Sequence, residues 1–306
     1  MKKIFFYLAS FLIFIATIYI TEKNIGWRTI IVSLADIPLQ TLSGLVALSI
    51  LNYVLRMWRI RWSLQLPSNA SVTVFYITTS HNLWNILMPM RLGEASFPLL
   101  IKQHFAIDYV TSSSHLLLFR LLDLAVLLSI FVLTLCLVTV PMMFIPCLVV
   151  ITLMFWAAPY LLSLISITLK KTRFSVGQRV ALALEQLSDN QHQLALISIT
   201  TWGIWALKLL AFVLFCIFAS GLPAFDALMS IIIADLSSIL PIHGFAGTGT
   251  FEGAFVLGGL QTGATTDALL QAAVQLHLYL IFVATLATFI GYCLHLIVPT
   301  TLKTAK

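Results

Sequence analysis

The sequence predicts an all-α polytopic membrane protein, with about six transmembrane helices plus two re-entrant helical hairpins in an inverted-topology repeat. Three observations carry this. Hydrophobic residues make up 60% of the 306 positions and charged residues only 9%, where a soluble domain carries about a quarter charged; mean hydropathy is +1.02. Two apolar stretches are interrupted by proline, glycine and a carboxylate, which lipid tolerates only where backbone is buried in protein or lines a cavity. The basic residues, finally, are shared very unevenly among the loops.

In chain order, Lys2 and Lys3 precede an apolar run over 4–20. It resembles a signal peptide, but no small-residue cleavage site follows, so an uncleaved first span is expected. Further runs at 39–57, 112–140, 142–168, 194–219 and 268–298 approach or exceed the about 20 residues that cross a hydrocarbon core. Between them lie two less regular stretches, 72–101 and 227–262. The first contains Asn85-Ile86-Leu87-Met88-Pro89-Met90-Arg91-Leu92-Gly93-Glu94. The second runs from Ser237 through Pro241, Gly244, Gly247 and Gly249 to Glu252. A matching pair of such breaks, one per half, is a sequence pointer to a transporter's binding site.

Charge sets the topology. With the N-terminus inside and each irregular stretch entering and leaving on one side, the cytoplasm receives Lys2, Lys3, Arg56, Arg59, Arg61, Lys102, Lys170, Lys171, Arg173, Arg179, Lys303 and Lys306. The outside receives only Lys23 and Arg28. Twelve against two is a strong positive-inside bias. Letting either stretch span alone reverses every later loop, and letting both span turns the Lys170–Arg179 cluster outward. The stretch 72–101 is therefore expected to enter from the cytoplasm and 227–262 from outside, with both termini cytoplasmic.

These flanks make residues 39–140 and 194–298 two halves of opposite topology within a single membrane domain, 1–306. Spacing agrees. Arg56 precedes Pro89 by 33 residues, and Lys208 precedes Pro241 by the same 33. Tyr53-Val54-Leu55-Arg56 aligns with Trp205-Ala206-Leu207-Lys208. Glu94 is followed 26 residues later by Arg120, and Glu252 is followed 25 later by His277. The runs 4–20 and 142–168 are expected to brace this repeat.

Seven ionisable residues fall at membrane depth: Arg91, Glu94, Arg120, Asp123, Lys208, Asp235 and Glu252. Facing lipid, each would cost about 2.5–3.5 kcal/mol at a helix centre, so they must face one another, backbone or a wet cavity. Arg120 and Asp123 share a helix face at i,i+3 and are placed to pair. Asp235 is the expected partner of Lys208. Asn85 is placed to touch a headgroup or cap a half-helix. Pro89, Gly93, Pro241, Gly244, Gly247 and Gly249 are the expected turn residues, and half-helix N-termini there would offer free N–H groups to an anion.

Other classes find little support. Net charge of +6 reflects cytoplasmic loops and not nucleic-acid binding. Cys136, Cys147, Cys216 and Cys293 lie in apolar runs as packing residues, without metal-ligand spacing. No H-E-x-x-H, G-x-S-x-G or cysteine–histidine constellation occurs, so no catalytic residue, metal or cofactor is expected, and no enzyme.

At these motifs the chain resembles the transmembrane-region family of lysylphosphatidylglycerol synthases, the flippase-like membrane part of multiple peptide resistance factors. The signature Asn-x-x-x-Pro-x-Arg-x-Gly-Glu is matched by Asn85, Pro89, Arg91, Gly93 and Glu94. The following Arg-x-x-Asp is matched by Arg120 and Asp123, and the later Pro…Gly-x-Gly-x-x-Glu by Pro241, Gly247, Gly249 and Glu252. The resemblance implies movement of a lipid or lipid-linked headgroup between leaflets of a bacterial inner membrane. The chain stops at Lys306, so a stand-alone region without the aminoacyl-transfer domain is expected. Arg91, Arg120 and Lys208 would bind phosphate or another anionic group, while Glu94, Asp123 and Glu252 would fix those cations, contact cationic headgroup atoms or carry protons. The partners are then a membrane lipid, a coupling proton or ion, and a second copy of the chain if it is a homo-oligomer. An integral-membrane enzyme or subunit acting on polyprenyl-phosphate-linked sugars is the alternative, and a small-ion channel or exchanger a third.

Overall fold

The computed structural model describes residues 2–171, 178, 181, 185, 190–237 and 245–298, with only the backbone of 2–9, 89–91, 158, 159, 162, 169 and 245. The described residues form helices joined by turns, with no strand among them. In order these are α1 (Lys2–Asn24), α2 (Trp27–Ala35), α3 (Leu39–Ser63), α4 (Ser71–Leu87), α5 (Ser96–Phe105), α6 (Tyr109–Thr139) and α7 (Phe144–Lys170). Then come α8 (Gln191–Ser220), α9 (Ala224–Ser237), α10 (Thr250–Leu260) and α11 (Thr266–Ile297).

Local chemistry explains the helix ends. Asp108 caps α6, its carboxylate accepting from the Val110 and Thr111 amides at 3.0 and 3.3 Å. Pro141, which cannot supply an N–H, follows the end of α6. Inside the helices, hydroxyls turn back onto their own backbone: Ser129 donates to the Ala125 carbonyl at 2.6 Å and Thr288 to that of Ala284 at 2.7 Å. A polar side chain satisfied in this way adds no unpaired group to an apolar environment.

Among the described residues four helices, α3, α6, α8 and α11, are long and apolar enough to cross a membrane. Large apolar side chains point outward from them and from α7, among them Leu121, Ile145, Trp156, Leu210 and Phe289. Such outward apolar faces belong in lipid, so the protein is a multi-pass membrane protein. The remaining runs read as spans, 4–20 and 142–168, are helical as α1 and α7. The short helix α2 has no counterpart in the sequence reading. Its nine residues bury Ile30 completely, and a run so short shows no membrane-length signal.

Both irregular stretches are helix, break, helix. In 72–101, α4 ends at Leu87 and a tight turn, Pro89–Ala95, leads into α5. In 227–262, α9 ends at Ser237 and a turn at Phe245–Gly247 precedes α10. The residues between, with Pro241, His243 and Gly244, lie outside the described residues. The helices α9 and α10 pack antiparallel. Gly258, late in α10, stands so close to the early part of α9 that an added Cβ would lie 2.9 Å from the Met229 carbonyl oxygen and the Ser230 Cα.

The chain divides into two compact units. The first comprises Met1–Tyr53, Thr79–Ser96 and Ala206–Cys293; the second comprises Val54–Thr78, Phe97–Trp205 and Leu294–Lys306. Each takes part of both halves read from the sequence. In the first, Phe215, Ile231, Phe255 and Leu269 form a buried core, and Tyr279 stacks on Phe215 with ring centroids 4.4 Å apart. Buried Gln275 donates to Ser33 and accepts from Ser220, tying α2, α8 and α11 together. In the second, Ile77, Phe97, Ile101, Ile197 and Ile204 are buried, and Gln193 donates to the Trp62 and Ser63 carbonyls at 2.7 and 3.0 Å.

Candidate functional site

The second break is built around Glu252. Helix α10 starts after Gly249, and Glu252, its third residue, reaches back so that Oε2 accepts the Gly249 N–H at 2.7 Å. This is one half of a capping box; Gly249 has no side chain to supply the other. Glu252 Oε1 lies 2.6 Å from His277 Nδ1 on α11, and His277 Nε2 lies 2.7 Å from the Ala246 carbonyl oxygen. Phe251 covers the ring at 5.0 Å between centroids. A carboxylate seen in the sequence as a headgroup contact is thus bonded to the helix start and to a histidine.

Gly249 has φ 84°, and an added Cβ would sit 2.3 Å from Ile13 Cγ2 on α1. Gly249→Ala is therefore expected to destabilise by about 2–4 kcal/mol, combining left-handed strain with overpacking, read as a lowered thermal midpoint in nanodiscs. An unchanged midpoint would show that α1 does not pack on this turn. The contact packs α1 against the second break.

The first break closes on glycine too. Met88 is extended, Pro89 opens the turn, and the chain folds back until Gly93 lies on the backbone of Trp84 and Asn85. The Ser96 hydroxyl donates to the Gly93 carbonyl at 2.6 Å, and so accepts from His81 Nδ1 at 3.1 Å. Asn82 donates to the Tyr53 hydroxyl at 2.7 Å. Asn85 Oδ1 is buried and has no hydrogen-bond partner among the described residues. Glu94 is half-buried in the turn; the Arg91 side chain lies outside what is described.

These two breaks belong to the same unit and approach each other, with Cα atoms within 8 Å. In that unit Lys208 Nζ donates to Asp235 Oδ1 at 2.7 Å, the pairing expected from the sequence. Lys208 also lies over the Phe212 ring at 5.3 Å. Both charged side chains keep some exposure, 17% and 12%.

Arg120 and Asp123 fall in the second unit, and here the expected pairing needs correction. Asp123 takes Arg59 of α3 as its forked partner, through Nη1–Oδ1 at 2.7 Å and Nη2–Oδ2 at 3.3 Å. Trp205 Nε1 also donates to Oδ1 at 3.2 Å, and Arg59 Nη1 donates to Thr201 Oγ1 at 3.1 Å. A guanidinium facing a carboxylate across two helices presents two parallel N–H groups, which a neighbour at i,i+3 on the same helix reaches less well. Phe119 lies under the Arg59 guanidinium at 4.7 Å. From sequence Arg59 counts only as a cytoplasmic loop charge, Trp205 and His277 only as spacing landmarks. The available signal for Arg59 was its place three residues after Arg56, continuing one helix face.

Among the described residues no group of three His, Cys, Asp or Glu side chains is placed to hold a metal ion. A family model, the lysylphosphatidylglycerol synthase TM region, matches residues 7–288. The chain belongs to this family. No curated protein and no solved structure matches it. The lysylphosphatidylglycerol synthase TM region match takes in both breaks, the Lys208–Asp235 pair and the Arg59–Asp123 clamp. It thus makes the chain a membrane protein of a family connected with lipid headgroups.

Proposed function

We propose that the chain is a flippase-like transporter that moves a lipid or lipid-linked headgroup between leaflets by alternating access. The observation that carries this is the approach of two broken helical stretches to each other, with Glu94, Glu252 and the Lys208–Asp235 pair in the same unit. Backbone broken at membrane depth and charges that cannot face lipid are what a headgroup site needs. In this reading there are six spans, α1, α3, α6, α7, α8 and α11, and the two broken stretches are re-entrant, entering from opposite faces of a bacterial inner membrane. Asn85, Arg91, Glu94 and Lys208 receive the headgroup while its tails stay in lipid. Asp123 and Glu252 hold the frame. A coupling proton or ion drives the movement.

Recurring helix pairs support an internal repeat. In the first unit Ser49 of α3 bonds Tyr279 of α11 at 2.9 Å. In the second unit Trp205 of α8 bonds Asp123 of α6 at 3.2 Å. The repeat equates α3 with α8 and α6 with α11, so the two contacts join corresponding pairs of helices, through different positions along them.

Proteoliposomes carrying labelled anionic and aminoacylated lipids test the function. The expected result is lipid movement above that of empty vesicles, lowered about tenfold by Glu94→Gln, as loss of one charged hydrogen bond would do. Wild-type vesicles that move neither lipid would overturn the reading.

A further inference from the structure

We propose that His277 is the positioning residue of the second break and holds one exchangeable proton jointly with Glu252, so that loss of this proton releases the turn. Both ring nitrogens face oxygen atoms, Nδ1 toward Glu252 Oε1 and Nε2 toward the Ala246 carbonyl. A carbonyl has no hydrogen to give, so Nε2 carries one and donates it. Between Nδ1 and Oε1 lies one more proton, formally on either atom. The second carboxylate oxygen is already used in accepting the Gly249 N–H. With that shared proton present, every polar atom of the pair is engaged.

When the proton departs to water, the neutral imidazole has one N–H left for two facing oxygens, so one ring nitrogen turns a bare lone pair toward Glu252 Oε1 or toward the Ala246 carbonyl. No other bond is made or broken. One of the two attractions becomes a repulsion, beside side chains only 7% and 5% exposed, where solvent screens little. The backbone that depends on the pair is strained. Ala246 has φ 57°, a left-handed conformation that a Cβ disfavours, and its carbonyl is anchored by the same imidazole. Glutamine or asparagine would supply a donor to one of the two oxygens; histidine spans both and can give up one proton while keeping the other.

The elements around the pair bring few other charges. Glu94 stands on the first break, with Arg91 three residues before it, and Asp235 on α9 is engaged by Lys208. Helix α1 meets the turn with Ile13, and with Thr17, whose hydroxyl donates to the Ile13 carbonyl; Glu22 and Lys23 lie further along it. Asp267 and His295 sit toward opposite ends of α11.

Backbone hydrogen exchange on the full chain in nanodiscs tests the switch, following the amides of 245–253 from about pH 5 to about pH 8 after correction for intrinsic exchange. Wild type is expected to lose protection about tenfold as pH rises, and His277→Gln to show no such step. Glu252→Gln, which keeps an acceptor but cannot ionise, is expected to abolish it as well and decides the matter if the histidine variant does not fold. Glu94→Gln is expected to keep the step. A wild type without a step, a step surviving in both pair variants, or its loss in Glu94→Gln would each overturn the assignment. Exchange requires no transported lipid, so only the role of the switch in gating rests on the transport reading.

Discussion

Gly93→Ala is expected to unseat the first break, costing about 3 kcal/mol or more and abolishing lipid movement with it. The added Cβ would lie 2.4 Å from the carbonyl carbon and oxygen of Trp84 and 2.5 Å from the Asn85 Cα. All three are backbone atoms at the end of α4, so no side-chain rotation relieves the clash. The turn must open instead, and opening it withdraws the Gly93 carbonyl that accepts from Ser96. Gly253→Ala is the matched control, because a Cβ there meets nothing within 4 Å and helix propensity favours alanine by up to about 1 kcal/mol. Thermal unfolding of both variants in nanodiscs is the measurement. Equal midpoints for the two would refute the close approach.

The second large effect is expected at Arg59 and Asp123. Their side chains are 5% and 9% exposed; removing Asp123 leaves the Arg59 charge among Phe119 and Thr201, and removing Arg59 leaves Asp123 without its forked partner, beside Trp205 and near Arg56 and Arg120. Arg59→Met or Asp123→Leu should each destabilise by about 3–5 kcal/mol, whereas the double variant should recover most of the loss. Recovery is the informative outcome, since it separates an unpaired charge from lost packing. Single variants that unfold like wild type would show that the clamp contributes nothing to stability.

The proposed lipid movement gives these two experiments different signatures. Gly93 shapes the turn beside Asn85, so its variant should fail in both stability and transport. Arg59 and Asp123 belong to the other unit, and the double variant should retain a measurable rate once stability is restored.

Much of the helical layout was legible because a membrane imposes a length and a composition that soluble folds do not. The run at 39–57 falls on α3, 112–140 on α6 and 194–219 on α8. The ends were less legible. Helix α3 continues to Ser63, through Trp58, Arg59, Arg61 and Trp62, because hydrogen bonding along a helix does not stop where apolarity does. The breaks were visible because proline and glycine act locally: Pro89 ends one helix and starts a turn whatever surrounds it. The partner of Lys208 was legible since α9 carries one carboxylate at comparable depth. The partner of Asp123 was not, because spacing along one helix points to Arg120, while Arg59 reaches Asp123 from another helix that only packing brings alongside.

Residue chemistry alone determined that the chain crosses a membrane, where its two breaks fall and which charges need a partner, since each follows from the cost of polar groups in hydrocarbon. Tertiary structure decided which partner each charge received. It gave Asp123 to Arg59 and spent both oxygens of Glu252 on a helix start and a histidine. It also seated Gly93 on backbone and Gly249 against α1. The Glu252–Gly249 bond and the fold-back at Gly93 are local, but the pairs Arg59–Asp123, Glu252–His277 and Gly249–Ile13 join residues far apart in the chain, fixed by how helices pack and by atoms that cannot overlap, and no local pattern encodes them.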